Sequence, residues 1–172
     1  YEYKNSKKIS ASYFLNDEAI ICLNGYHTVR YTYNNSDVVI RKDFFDTEGY
    51  PIACKDGYAS IAYEFDSEGR VCCTRYYNIY GELQPAPNEV YAYTRKDYNE
   101  DGDQYVLSYY DTYDELMMTD EGYAQMVCDL DESEKVVRIA YLDDAEEPVN
   151  IKSGVSVIER SYVNGKISSL AH

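Results

Sequence analysis

The 172-residue sequence predicts an all-β chain, an elongated, solenoid-like stack of about five 32-residue β-hairpin repeats. Three observations predict it. Aromatic and turn landmarks recur at a near-constant step, which is the signature of repeat architectures. Between them, apolar and polar residues alternate with period two, the pattern of a half-buried strand. Asp, Asn and Gly cluster where the alternation stops, as hairpin turns require.

The repeat is carried by three independent landmarks. The stretch Phe44-Phe45-Asp46-Thr47-Glu48-Gly49 returns as Tyr76-Tyr77-Asn78-Ile79-Tyr80-Gly81. It returns again as Tyr109-Tyr110-Asp111-Thr112-Tyr113-Asp114 and as Tyr141-Leu142-Asp143-Asp144-Ala145-Glu146, at steps of 32, 33 and 32. A Gly-Tyr pair stands at Gly25-Tyr26, Gly57-Tyr58 and Gly122-Tyr123, weakens to Gly154-Val155, and is replaced by Glu89-Val90. An aromatic or leucine precedes a polar turn at Tyr33, Phe65, Tyr98, Leu130 and Tyr162. All three place a single insertion between residues 89 and 98. The copies then run approximately 1–25, 26–57, 58–89, 90–122 and 123–154, with a partial copy at 155–172 ending near His172. We expect one continuous array, residues 1–172, without an interdomain linker. The first copy is atypical, with Ser12-Tyr13-Phe14 at the aromatic landmark, and the third carries Pro85 and Pro87.

Within one copy, Ala59, Ile61, Tyr63 and Phe65 alternate with Ser60, Ala62 and Glu64, a first strand. Asp66-Ser67-Glu68-Gly69 supplies a turn in which the Asp side chain bonds the backbone two residues on and Gly takes the left-handed position. Asn99-Glu100-Asp101-Gly102 has the same chemistry. A second strand follows over about Arg70–Tyr77, then a turn over Asn78–Gly81, then a short extended piece equivalent to Pro51–Cys54. Lys55-Asp56-Gly57 closes the unit. One copy cannot bury its apolar face, so neighbours must stack.

Composition narrows the function. Net charge is −15, from 31 acidic and 16 basic residues, which argues against nucleic-acid or anionic-membrane partners. Excess acid keeps a tyrosine-rich surface soluble. No segment approaches the roughly 18 apolar residues of a membrane span. The chain opens inside a strand-like run, Tyr1–Tyr3, as a segment of a longer protein would. Its cysteines, Cys22, Cys54, Cys72, Cys73 and Cys128, are odd in number and lack a C-x-x-C spacing. They read as small buried hydrophobes rather than as a disulfide framework.

No catalytic constellation is present in the sequence, so no enzyme activity and no catalytic residues are expected. His27 is the single histidine inside the chain and reads as a surface strand residue. A nucleophile–base–orienter set and a phosphate loop are both lacking. Calcium is the one cofactor considered. Asp66 and Glu68, and Asn99 and Asp101, offer turn oxygens, but two or three per turn against the six to eight calcium takes. An Asx-type turn is the favoured reading there. For ligand binding the candidates are the evenly spaced rings Phe44, Tyr76, Tyr109 and Tyr141. Such rings stack on sugars or cationic groups, or else pack between copies, and packing is the favoured reading because strand ladders favour aromatic pairs. The neighbouring line Phe45, Tyr77, Tyr110 and Leu142 accepts a leucine and is expected in the core, which would turn the first line outward.

The pattern aromatic-Tyr-Asp-x-x-Gly, Asp-Gly-Tyr-Ala, Tyr-x-Tyr/Phe-Asp-x-x-Gly resembles the tyrosine-rich tandem repeats of large extracytoplasmic proteins of Gram-positive bacteria. It is more remotely similar to YD repeats and to choline- and glucan-binding cell-wall repeats. The resemblance implies a secreted or surface-anchored bacterial protein. There the array would be a spacer or a region binding cell-wall or host glycan. Adhesion to another surface protein is the alternative, and an accessory domain of a carbohydrate-active or cell-envelope enzyme comes last. The choline- and glucan-binding families bind through Trp, which this chain lacks, so none of their ligand residues carries over.

Overall fold

Asn and Asp before each short turn set the hairpins of this protein, and the computed structural model describes them through residues 1–163 and 166–171. Among the described residues, seven turns share one hydrogen-bond pattern. The side-chain oxygen of Asn34, Asp46, Asp66, Asn78, Asp111, Asp131 or Asp143 accepts from the amides two and four residues on. The backbone N–H of the same residue donates to the carbonyl four residues on. Each Asx side chain thereby does locally what a strand ladder does regularly.

The described chain is all-β and antiparallel, with no helix. Its contacts divide it into two compact units, Tyr1–Ala92 and the residues from Tyr93 onward. In the first unit the strands are β1 (Glu2–Lys4), β2 (Lys7–Ser12), β3 (Phe14–Leu15), β4 (Glu18–Ala19), β5 (Thr28–Tyr33), β6 (Val39–Phe45), β7 (Ser60–Phe65), β8 (Val71–Tyr77) and β9 (Leu83–Gln84). They form an open sheet in the order β1-β2-β5-β6-β7-β8-β9, with β3 and β4 pairing apart from it. The second unit holds β10 (Tyr93–Tyr98), β11 (Gln104–Tyr110), β12 (Gln125–Leu130), β13 (Val136–Leu142), β14 (Val157–Val163) and β15 (Lys166–Ala171). Each of these pairs antiparallel with the next in sequence. His172 lies outside the described residues.

The turn-preceding residues Tyr33, Phe65, Tyr98, Leu130 and Tyr162 all stand at or near a strand's end. A bulge accompanies this residue in four of the hairpins. The β10–β11 hairpin keeps an unbroken register. There Asn99 N–H reaches the carbonyl of Gln104, five residues on, instead of four.

A further turn precedes each Gly-Tyr position. Cys22 N–H donates to Tyr26 O, and Cys54, Thr119 and Ile151 N–H donate likewise to Tyr58, Tyr123 and Val155. The corresponding bond of the third copy runs from Ala86 N to Tyr91 O, so the extra residue sits in this loop. Two such turns are tied to the next in their own unit, Lys55 N to Asn24 O at 2.8 Å and Lys152 N to Glu121 O at 2.9 Å. Pro87, in the corresponding position of the third copy, has no N–H to donate. Gly25 is held closely by the first tie: a Cβ there would sit 2.8 Å from Lys55 N, and φ is +87°.

Alternation gives each sheet two faces. In the first unit, Val29, Phe44 and Ile61 are buried on one face together with Ala11 and Cys54. The other face is polar but ordered. Asp43 accepts from Arg41 Nε at 2.8 Å and from Ser60 Oγ at 2.7 Å, and Arg75 pairs with Glu64. Ser60 is buried there, and its hydroxyl is satisfied by that bond. In the second unit the core is Cys128, Ile139 and Tyr141, with Met126, Ile151 and Ile158 against it.

Candidate functional site

The Gly-Tyr turns place their tyrosine rings against the strand aromatics. In the first unit this gives a continuous run: Tyr26 to Phe44 at 4.6 Å between ring centroids, Phe44 to Tyr58 at 5.8 Å, and Tyr58 to Tyr76 at 4.9 Å. In the second, Tyr109 meets Tyr123 at 5.7 Å and Tyr123 meets Tyr141 at 4.9 Å. Phe44 and Tyr141 are buried, and Tyr76 and Tyr109 are half-buried.

The line Phe44, Tyr76, Tyr109 and Tyr141 is therefore on the packed face rather than turned outward. The neighbouring line is not free either. Arg30 lies 4.0 Å from the Phe45 ring centroid and Arg41 lies 4.8 Å from that of Tyr77. Tyr110 stacks on Tyr93 at 4.8 Å, and Leu142 bridges to Pro148. Guanidinium groups thus lie over Phe45 and Tyr77 on this second face.

On the ring-bearing face of the first unit lies an open groove of about 450 Å³. Val29, Phe44 and Ile61 form its buried floor, with Cys54 beside them. Tyr26 and Tyr58 contribute their rings from the two Gly-Tyr turns, and Tyr31 and Tyr63 from the fourth positions of β5 and β7. Lys42, cross-strand from both Tyr31 and Ile61, stands among them. Lys55 and Asp56 supply the exposed charges of the lining.

Burial sets the chemistry of these phenols. It pushes Tyr26 up to about 12, helped by a hydrogen bond with Tyr13. It also raises Tyr58, where Cys54 and Asp56 add to the effect, and Tyr76. All three keep their protons at neutral pH, so each remains a hydroxyl donor beside an aromatic face. Rings with polar tips in a shallow concavity are suited to binding an amphipathic, ring-shaped ligand.

The turn oxygens considered for calcium have partners of their own. Asp66 Oδ1 accepts from the amides of Glu68 and Arg70, and Oδ2 from Arg70 Nε at 2.6 Å. The Arg70 hydrogen bond holds the Asp66 carboxyl below its ordinary value. Glu68 pairs with Arg70 at 3.2 Å. Asn99 Oδ1 accepts from Gln104 N at 3.2 Å, and its amide donates to Asp103 at 2.7 Å, while Asp101 is exposed. No group of three His, Cys, Asp or Glu side chains placed to hold a metal occurs among the described residues.

His27 is buried, not a surface residue. Its Nδ1 lies 3.1 Å from Ile20 O, and the Phe14 ring packs edge-on against it at 5.1 Å. Cys54, Cys72, Cys73 and Cys128 are buried, as expected of small hydrophobes, whereas Cys22 is only half-buried. Sequence reasoning missed Lys42 and the Gly-Tyr rings as site residues. The recurring Gly-Tyr was visible, but its contact with the strand aromatics is tertiary. No family model matches this chain, and no significantly similar curated protein was found.

Proposed function

We propose that this protein is a non-enzymatic, extracytoplasmic module of about five stacked β-hairpin repeats that binds cell-wall or host glycan. The groove of the first unit is the observation that carries this reading. Its tyrosines, Tyr26, Tyr31, Tyr58 and Tyr63, offer faces for stacking on sugar rings and hydroxyl tips for sugar hydroxyls. A pure spacer has no use for rings left around an open concavity. Catalysis has no support there: the titratable lining is a thiol, two lysines, one carboxylate and phenols, without a base oriented by a third group.

Protein–protein adhesion is the second reading. Phe14, Leu15 and Leu23, near the start of the chain, are 60%, 61% and 98% exposed. An apolar cluster of this kind suits a macromolecular partner.

A glycan-array screen of the chain tests the first reading, with Tyr58→Ala and Tyr109→Ala as controls. The expected result is a hit that Tyr58→Ala abolishes and Tyr109→Ala leaves in place. A screen without hits, or a hit indifferent to both substitutions, would favour a spacer.

A further inference from the structure

Lys42 is out of keeping with its position. It is the fourth residue of β6, on the ring-bearing face. The fourth residues of β8, β11 and β13 are Thr74, Leu107 and Ile139, all uncharged. Among the described residues Lys42 has no carboxylate within ion-pair distance, and its ammonium lies 5.5 Å from the Tyr63 ring centroid. A half-buried ammonium without a counter-ion costs free energy. Local rules broken without a structural gain mark functional positions.

The surroundings sharpen this. The protein carries nearly twice as many acidic as basic side chains, yet the groove has Lys42 and Lys55 against Asp56 alone. Next to it, Lys8 lies 4.9 Å from the Tyr31 ring centroid, adding a third cation to the same face. In a chain this acidic, a concavity with reversed charge selects anions by field as well as by contact.

Resting on the glycan reading above, we infer that the groove recognises an acidic glycan. A sugar carboxylate would sit at Lys42, and the adjoining sugar ring would lie on Tyr58 or Tyr63. An ammonium–carboxylate contact in this half-shielded setting is a charge-assisted hydrogen bond, stronger than those of neutral sugar hydroxyls.

The test is calorimetric titration of the whole chain with a trimer of uronic acid and, separately, with the corresponding neutral hexose trimer. Wild type, Lys42→Gln and Lys42→Arg are compared, with far-UV dichroism to establish that each variant is folded. The acidic trimer is expected to bind more tightly than the neutral one, and more weakly as salt rises. Lys42→Gln should weaken it by about tenfold or more, and Lys42→Arg should restore most of that loss. Equal affinity for the two trimers, or an acidic trimer indifferent to Lys42→Gln, overturns the acidic-glycan inference and leaves the glycan reading standing. Failure of both trimers to bind overturns this inference, and together with an empty glycan array it removes the glycan reading too.

Discussion

Both units are built from Asx turns and hairpin strands of six or seven residues, and they differ in what stands on the ring-bearing face of each. In the first, Tyr31, Lys42, Tyr58 and Tyr63 surround a groove. In the second, Cys128 stands at the fourth position of β12, Ile139 at that of β13 and Arg160 at that of β14, while Val155 takes the place of the tyrosine after Gly154. Ile139 is 7% exposed and packs with Cys128 and Tyr141, with Ile151 and Ile158 against them. The aliphatic side chains Ile139, Ile151 and Ile158 pack there near Tyr105, whose ring centroid lies 3.8 Å from the Lys96 ammonium. The skeleton is thus indifferent to these positions, and the site is written in side chains alone.

The turns differ in the opposite sense. Their left-handed residue is Gly49, Gly69 and Gly81 in three turns of the first unit, with Asp37 in another. In the second unit Gly102 takes this position once, and Asp114, Glu134 and Glu146 take it elsewhere at φ of 64°, 58° and 64°. A glutamate there bears a steric cost that glycine does not. Non-glycine residues take the left-handed region in the first unit too, but they are Asn5, Ser6, Asn16, Asp17, Asp37 and Asn88, short polar side chains, whereas the second unit places glutamate there twice.

Exchanging the fourth residues breaks this comparison most forcefully. Ile139→Lys removes a buried aliphatic side chain and puts a charge in its place, so a loss of about 3–5 kcal/mol is expected in urea unfolding. The reciprocal Lys42→Ile should change stability by less than about 1 kcal/mol. Equal losses from the two would mean that the faces are not distinct.

Next in size is Gly25→Ala, which combines positive φ with a clash against the Lys55 amide, an expected cost of about 2–3 kcal/mol. Gly57→Ala has the same φ problem but open space around it, and should cost about 1 kcal/mol. Thermal melts of the pair separate the tie from the turn. In the second unit, Glu134→Gly and Glu146→Gly should each stabilise by about 0.5–1 kcal/mol, whereas Gly69→Ala should destabilise by a similar amount.

The smallest effect is a pH dependence. Burial lifts Tyr26 from 10.0 to about 12, so the folded state holds its proton more tightly than the unfolded chain does. Its contribution is complete below pH 10 and is lost as pH climbs from 10 towards 12. Tyrosinate absorbance should accordingly show a late class that ionises as the first unit loosens. A single uniform titration would remove the buried class.

Much of the skeleton was legible. Asp66-Ser67-Glu68-Gly69 announced an Asx turn, and Asp66 Oδ1 accepts from the two amides that such a turn requires. The alternation from Ala59 to Phe65 announced β7. Less legible was which aromatic line packs. Leucine at 142 suggested a core, but Phe45 and Tyr77 of the same line lie against the guanidinium groups of Arg30 and Arg41. Alternation gives two faces and cannot say what covers each. Nor did local sequence expose the groove, because it arises where Lys42 on one strand meets rings from two turns and two other strands. His27 was misjudged for the same reason: its burial comes from Phe14 and Ile20, which the irregular first copy brings back over it.

The unbroken run Tyr26–Phe44–Tyr58–Tyr76 has a spectroscopic consequence. With no Trp to drain the excitation, ultraviolet emission comes from phenols alone, and the tyrosines of this run pass excitation to one another through space, Phe44 feeding them without accepting from them. A bound molecule that quenches one ring thus dims its neighbours as well. Unlabelled protein should signal occupancy of the groove by its own fluorescence, and the loss of polarisation should measure how far along the row the excitation travels.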